Sequence, residues 1–146
     1  MTDASSGLLT AGTLNRFSSK TRDKLLQESL VLFNERGFGA VTTASIAEHA
    51  GVLEGSLWYH FRTKKDILTA HIDLLQQVFE GTNIDASSTD EETIIAGIFA
   101  SYDVIWDFRY ILRDDFGSVL DTDEPALQTT RLINSFLDDW TEGRIQ

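Results

Sequence analysis

A single glycine between two short helical segments constrains the fold of this chain most strongly. Residues 43–50 carry a helical pattern of about two turns that ends at Gly51, where a sharp turn needs a left-handed backbone conformation. A second short segment follows over residues 54–61, with Leu57 and Phe61 on its inner face. This spacing predicts a helix-turn-helix, whose second helix has the right size to enter the major groove of DNA.

Helical patterns also flank this motif. Apolar residues recur at helical spacing from about residue 19 to residue 36, and Gly37 then stands where a helix C-cap favours glycine. After the motif, Thr63 and Asp66 have the spacing of a capping box. We therefore expect a long helix before the motif and another one directly after it.

The remainder of the chain carries helical signals as well. Thr89 and Glu92 form a second capping-box pattern, and a mostly apolar helical region follows it to about residue 120. We expect this region to be broken near Arg109 or Asp114. A last helix is expected to begin near Pro125.

No strand pattern competes with these helices, so the sequence predicts an all-α chain. A three-helix helix-turn-helix domain is expected to be joined through a fourth helix to a second helical part. The expected boundaries are a flexible tail at 1–18, the helix-turn-helix domain at 19–62 and the second helical part at 63–146.

The acidic residues are concentrated in the second part of the chain. The net charge is −11, which argues against nucleic acid as a partner because phosphate binding needs lysine and arginine. Residues 81–146 account for −10 of it, whereas residues 16–66 carry a net +2. The charge therefore permits DNA binding by the first part, and the acidic part either has a separate role or only promotes solubility.

Composition and spacing exclude several function classes. The chain has no cysteine, so thiolate metal sites and cysteine nucleophiles are excluded. His49, His60 and His71 lie eleven residues apart, but the helix breaks between them prevent a shared face. We expect no enzyme activity, no cofactor and no metal. The short apolar runs and the absence of a signal-peptide pattern predict a cytoplasmic protein without a membrane partner.

Residues 21–68 resemble the TetR family of bacterial transcriptional regulators. The matching stretches are LFNERGF, the pattern T-T-x-x-I-A-x-x-A-G-V and the run G-S-L-W-Y-H-F-x-x-K. The resemblance implies a DNA-binding repressor that a small-molecule effector releases from a double-stranded operator. It also implies that residues 63–146 form a helical, ligand-sensing regulatory domain that looks incomplete at its C-terminus.

The resemblance also implies which side chains contact DNA. Hydroxyls at the start of the motif's first helix, side chains at the end of its second helix and a lysine at the start of the following helix would hold phosphates. Two residues early in the second helix would read bases. The expected DNA-binding residues are Thr42, Thr43, Glu54, Ser56, Trp58, Tyr59, His60 and Lys64.

Three positions depart from the family's usual pattern. Trp58 stands where tyrosine is common, and Leu53 and Glu54 stand where a hydroxyl residue and often a lysine occur. Leu53 cannot cap a helix, and Glu54 repels phosphate. Glu54 either accepts a hydrogen bond from a cytosine amino group or only complements the helix dipole.

Aromatic residues in the second part are candidates for an effector pocket. Phe99, Tyr102, Trp106, Tyr110 and Phe116 either line a pocket for an apolar molecule or form ordinary core.

Charged residues lie among these aromatics. Asp103 and Asp107 are expected on a solvated face, because like charges four residues apart disfavour burial. Arg109 and Arg113 are expected to pair with nearby acidic side chains.

The resemblance implies a homodimer, but the helix pair that usually forms the dimer contact would follow the last residues of this chain. We therefore expect the usual dimer contact to be incomplete. The alternative function is an interaction protein that pairs with a longer relative and modulates its DNA binding.

Overall fold

The regular structure of the chain is helical wherever it is described. The computed structural model describes residues 9–80 and 89–113, and seven α-helices and a short 3-10 turn lie within these ranges. In chain order they are α1 (Ala11–Leu14), α2 (Thr21–Arg36), the 3-10 turn (Phe38–Ala40), α3 (Thr43–Ala50), α4 (Glu54–His60), α5 (Lys64–Glu80), α6 (Glu91–Asp107) and α7 (Arg109–Arg113). The all-α prediction is confirmed for these residues, and none of their helices is long and apolar enough to cross a membrane.

Helix α2 lies at the centre of the core. It packs against α3, α4 and α5 and, near its C-terminal end, against α7. Leu25, Leu30 and Phe33 of α2 are fully buried, as are Ile46 of α3 and Leu57 of α4. Each buried side chain of this size contributes about 1.5–3 kcal/mol, so these contacts hold the short helices α3 and α4 in place.

Aromatic rings connect the helix-turn-helix part with the end of the described chain. The ring of Phe33 lies 5.0 Å from that of Phe38, 5.8 Å from that of His71 and 5.1 Å from that of Tyr110, measured between centroids. Such tilted and edge-to-face pairs suit the charge distribution of aromatic rings. Helices α2, α5 and α7 therefore meet in one aromatic cluster.

Capping side chains explain where two long helices begin. The Thr63 hydroxyl accepts from the Asp66 backbone N–H, and the Asp66 carboxylate accepts from the Thr63 N–H, each at 3.2 Å. This reciprocal pair is the predicted capping box. At α6 the cap is Asp90, which accepts from the Thr93 N–H at 3.0 Å, one residue later than the predicted Thr89 cap.

The predicted long helix after residue 90 is interrupted at Phe108. This residue has φ −114° and ψ 25°, so α6 ends at Asp107 and α7 starts at Arg109. The break coincides with the first of the two predicted positions. The predicted break at Asp114, Phe116 and the helix near Pro125 lie outside the described residues.

Asp107 is fully buried, which corrects the expectation of a solvated side chain. Its carboxylate accepts from the Thr10 backbone N–H at 3.1 Å, from the Thr10 hydroxyl at 2.5 Å and from the Thr13 hydroxyl at 2.6 Å. Its backbone carbonyl accepts from Asn34 Nδ2 at 2.7 Å. We call Asp107, Thr10, Thr13 and Asn34 the Asp107 cluster. Its hydrogen bonds compensate the buried charge.

The same cluster corrects the expectation of a flexible tail for the last part of 1–18. Leu9 is buried, and α1 is held against the end of α6 through Thr10 and Thr13. The sequence did not indicate this, because the bonding partner lies more than 90 residues further along the chain.

Candidate nucleic-acid interface

The turn between α3 and α4 has the predicted left-handed glycine. Gly51 has φ 71° and ψ 30°. Its N–H donates to the Glu48 carbonyl at 3.1 Å, and the Val52 N–H donates to the Ala47 carbonyl at 3.0 Å. These two bonds form a Schellman motif, which closes α3 and sets the direction of α4.

Helix α4 is attached by one face and exposed on the others. Leu57 is fully buried, whereas Glu54 and Ser56 are exposed and Trp58 exposes 43% of its surface. Tyr59 exposes 85%. A helix held in this way can be inserted into a groove without breaking the core.

Two of the predicted DNA-binding residues are hydrogen-bonded to each other. The Thr43 hydroxyl donates to Glu54 Oε1 at 3.0 Å, which joins the first turn of α3 to the first turn of α4. Thr42 acts as the N-cap of α3 and accepts from the Ser45 N–H at 3.1 Å. As predicted, Leu53 provides no side-chain cap for α4.

An open depression of about 470 Å³ lies beside α4, where α3 and α5 begin. It brings together four of the predicted residues and adds four others. The lining consists of Gly39, Val41, Thr42, Thr43, Trp58, Arg62, Thr63 and Lys64. The sequence analysis does not name Arg62 as a candidate. A basic residue between the helix-turn-helix and the capping box at Thr63 could have indicated a phosphate contact.

The Lys64 side chain is hydrogen-bonded within the protein rather than extended into solvent. Its Nζ donates to the Phe38 carbonyl at 2.5 Å and lies 4.3 Å from the centroid of the Phe38 ring. Partial burial lowers the pKa of Lys64 below its usual value. Arg62, by contrast, is exposed.

Tyr59 and His60 do not line the depression. Their rings meet edge to face with centroids 5.1 Å apart, and His60 also lies 6.5 Å from the ring of Phe61. Of the predicted DNA-binding residues, Thr42, Thr43, Trp58 and Lys64 therefore line the depression, and Glu54 is bonded to Thr43. Tyr59 and His60 lie at the end of α4, and Ser56 is exposed on the same helix.

Four of the five aromatic candidates for an effector pocket lie within the described residues, and they are not equivalent. Phe99, Tyr102 and Trp106 lie on α6 and expose between 50% and 67% of their surface. Tyr110 on α7 is fully buried, and its hydroxyl lies 2.7 Å from His71 Nδ1.

His71 is a fully buried polar residue in the interior of the helical core. Burial lowers its pKa from 6.5 to about 4, so the ring is neutral near pH 7. Nε2 lies 2.8 Å from the Leu26 carbonyl, which can only accept, so Nε2 carries the proton and Nδ1 accepts from Tyr110. Nε2 also lies 3.1 Å from the hydroxyl of Ser29.

The two arginines of α7 make contacts that the sequence did not predict. Arg113 donates to the carbonyls of Phe33 and Asn34 at 3.2 Å and 3.1 Å, at the C-terminal end of α2. A cation there complements the helix dipole. Arg109 lies 4.2 Å from the centroid of the Trp106 ring.

Comparison with known proteins gives a consistent result. The family model described as bacterial regulatory proteins of the tetR family matches residues 25–70. Among solved structures, a TetR-family transcriptional regulator from Marinobacter aquaeolei VT8 is similar with a TM-score of 0.65 and 30% identity, over 80% of this chain and 58% of that one.

Curated relatives are also similar over part of the chain. The HTH-type transcriptional repressor KstR2 of Mycolicibacterium smegmatis is 33% identical over 87 residues, which are 58% of this chain and 42% of the relative. KstR2 of Rhodococcus jostii is 38% identical, over 60% and 44%. The HTH-type transcriptional regulator TtgR of Pseudomonas putida is 31% identical, over 51% and 35%. The chain spans less than half the length of these relatives.

Proposed function

We propose, from the premise that residues 25–70 form a domain of the tetR family of bacterial regulatory proteins, that this chain binds operator DNA and represses transcription. The observation that carries the proposal is the exposed helix α4 beside the depression at the starts of α3 and α5. In a helix-turn-helix, the exposed helix contacts base edges while neighbouring residues hold the phosphates.

The depression supports phosphate binding at this surface. Arg62 and Lys64 supply positive charge, and Thr42 and Thr63 place hydroxyls at the starts of two helices. Helix N-termini and cations both favour an anion. We propose that Thr42 and Lys64 contribute to this site and that Ser56, Trp58, Tyr59 and His60 contact the DNA from α4.

The basic experiment measures binding of the purified chain to DNA from its own promoter region by fluorescence anisotropy in a salt series. We expect binding that weakens steeply as the salt concentration rises, because phosphate contacts release counterions. Binding that is absent, or insensitive to salt, would contradict the proposal.

Replacing Arg62 by glutamine is expected to weaken binding to every DNA sequence by a similar factor. The loss of one phosphate contact should reduce the slope of log K against log salt by about 1. Arg62 is the sharper test than Lys64, because the Lys64 ammonium also binds the Phe38 carbonyl and its removal perturbs the fold.

Arg109→Gln is the matched control, because it removes the same charge from a residue that lies over the Trp106 ring. We expect it to leave the salt slope unchanged. If the wild type and Arg62→Gln show equal slopes of log K against log salt, Arg62 is not part of the proposed phosphate site.

We also propose that a small-molecule effector releases the DNA. The support is the direct connection between the α6–α7 junction and α2: Asn34 bonds the Asp107 carbonyl and the Tyr110 N–H, and Arg113 bonds the last carbonyls of α2. An effector that shifts this junction would also move α2, against which α3 and α4 pack.

Three aromatics on α6 remain candidates for effector contacts. They are Phe99, Tyr102 and Trp106, whereas Tyr110 is assigned to the connection with His71. The test is to add apolar small molecules to the protein–DNA complex and to follow the anisotropy. Release by a compound should be lost in Trp106→Ala while DNA binding without the compound is retained.

The exposed aromatics on α6 also favour the alternative function, in which the chain pairs with a longer relative. An apolar face of this kind suits a second protein surface. Light scattering after size-exclusion chromatography distinguishes the two: a homodimer that binds DNA supports the repressor, whereas a monomer that binds DNA only with the relative present supports the alternative.

A further inference from the structure

The hydrogen bond between Thr43 and Glu54 crosses the helix-turn-helix at its exposed edge. The two residues are eleven positions apart, yet the Thr43 hydroxyl lies 3.0 Å from Glu54 Oε1. Thr43 is the first residue of α3 and Glu54 is the first residue of α4. The bond therefore restrains a carboxylate at the N-terminal end of the helix that presents its side chains to DNA.

This bond changes the role that Thr43 can have. A hydroxyl has one proton to donate, and in this structure the Thr43 proton is directed to Glu54. A phosphate oxygen needs a donor, so Thr43 cannot bind phosphate in this way without releasing Glu54. A released carboxylate next to phosphates would be repelled by them.

We propose that Thr43 is a positioning residue that holds Glu54 so that its carboxylate accepts a hydrogen bond from the amino group of a cytosine in the major groove. The proposal deepens the proposed DNA-binding function and rests on it. It makes the Thr43–Glu54 pair a determinant of the operator sequence rather than of overall affinity.

The chemistry of the base edges selects cytosine. An ionised carboxylate only accepts hydrogen bonds. In the major groove, cytosine presents an amino donor, guanine presents two acceptors, and adenine presents a donor next to an acceptor. The Thr43 hydroxyl already donates to Glu54 Oε1 and so restrains the carboxylate. The restrained carboxylate can only accept, which suits the amino group of cytosine, a donor without a neighbouring acceptor on the same base edge.

The test uses three conservative variants of the two residues. Thr43→Val removes the donor, Thr43→Ser keeps it, and Glu54→Gln replaces the carboxylate by an amide. The preferred site of the wild type is first selected from a random DNA pool, and each base pair of it is then replaced in turn. Affinities are measured for all replacements with all four proteins.

We expect the wild type to prefer a C·G pair at one position by about tenfold or more, which is typical of one good base contact. Glu54→Gln should lose this preference, and Thr43→Val should lose a large part of it at the same position. Thr43→Ser should retain it. Preferences at the other positions should not change.

Two results would overturn the inference. A uniform loss of affinity in Thr43→Val, with a smaller salt slope, would make Thr43 a phosphate contact. An unchanged base preference in Glu54→Gln would leave Glu54 to complement the helix dipole only. Both results concern the variants and can be obtained while the wild type still binds DNA in a salt-sensitive way. Failure of the proposed DNA-binding function would instead be seen in the wild type itself, so the two failures are distinguishable.

Discussion

Replacing Asp107 by alanine is expected to lower the free energy of unfolding by about 3–5 kcal/mol, because three donors lose their acceptor and each unsatisfied donor costs about 1–3 kcal/mol. The substitution removes the acceptor for the Thr10 N–H and for the hydroxyls of Thr10 and Thr13. Buried donors without acceptors keep the full cost of desolvation. Chemical denaturation followed by circular dichroism measures the change.

Asp103→Ala is the matched control, since Asp103 lies one turn earlier on α6 and is exposed. Its effect should stay within about 0.5 kcal/mol, as for most surface substitutions. Asp107→Asn, which keeps one acceptor oxygen, should fall between the two. Similar losses for the Asp103 and Asp107 variants would show that the Asp107 cluster contributes little.

The second large effect is a loss of stability in acid that depends on His71. In the folded chain, burial lowers the pKa of His71 to about 4, whereas an unfolded histidine titrates near 6.5. Between these values the unfolded state binds a proton that the folded state excludes. Stability contributed by neutral His71 is therefore present above pH 6.5 and is lost as the pH falls to about 4, by about 3 kcal/mol in total.

The measurement compares wild type with His71→Gln, which cannot titrate, by denaturation between pH 7 and pH 4. The difference between their unfolding free energies should change by about 3 kcal/mol over this interval. His49→Gln is the control, because it makes the same substitution at an exposed histidine of α3. Parallel curves for His71→Gln would mean that the ring is accessible to protons in the folded chain.

Local signals in the sequence account for most of the helix-turn-helix. Gly51 marks the turn because its backbone is left-handed, and Thr63 with Asp66 marks the start of α5 because the two cap each other. Both features depend on residues within a few positions of each other. Such interactions can be read from spacing alone.

The interactions that sequence reasoning missed are non-local. Asp107 looked solvated because Asp103 lies one turn away, but its partners Thr10 and Thr13 are 97 and 94 residues distant. Tyr110 was grouped with the aromatics of α6, yet its hydroxyl bonds His71, 39 residues earlier. No spacing rule predicts which distant residue will satisfy a buried polar group.

The Asp107 cluster also has a consequence for the order in which the chain is built during translation. Helices α2 to α5 are contiguous in the sequence, so they can begin to pack as soon as they leave the ribosome. Thr10 must wait for Asp107, which is synthesised 97 residues later and so about 5–20 seconds afterwards. The N-terminal segment is thus made first and docked late, and in the interval Leu9 is left exposed on the nascent chain.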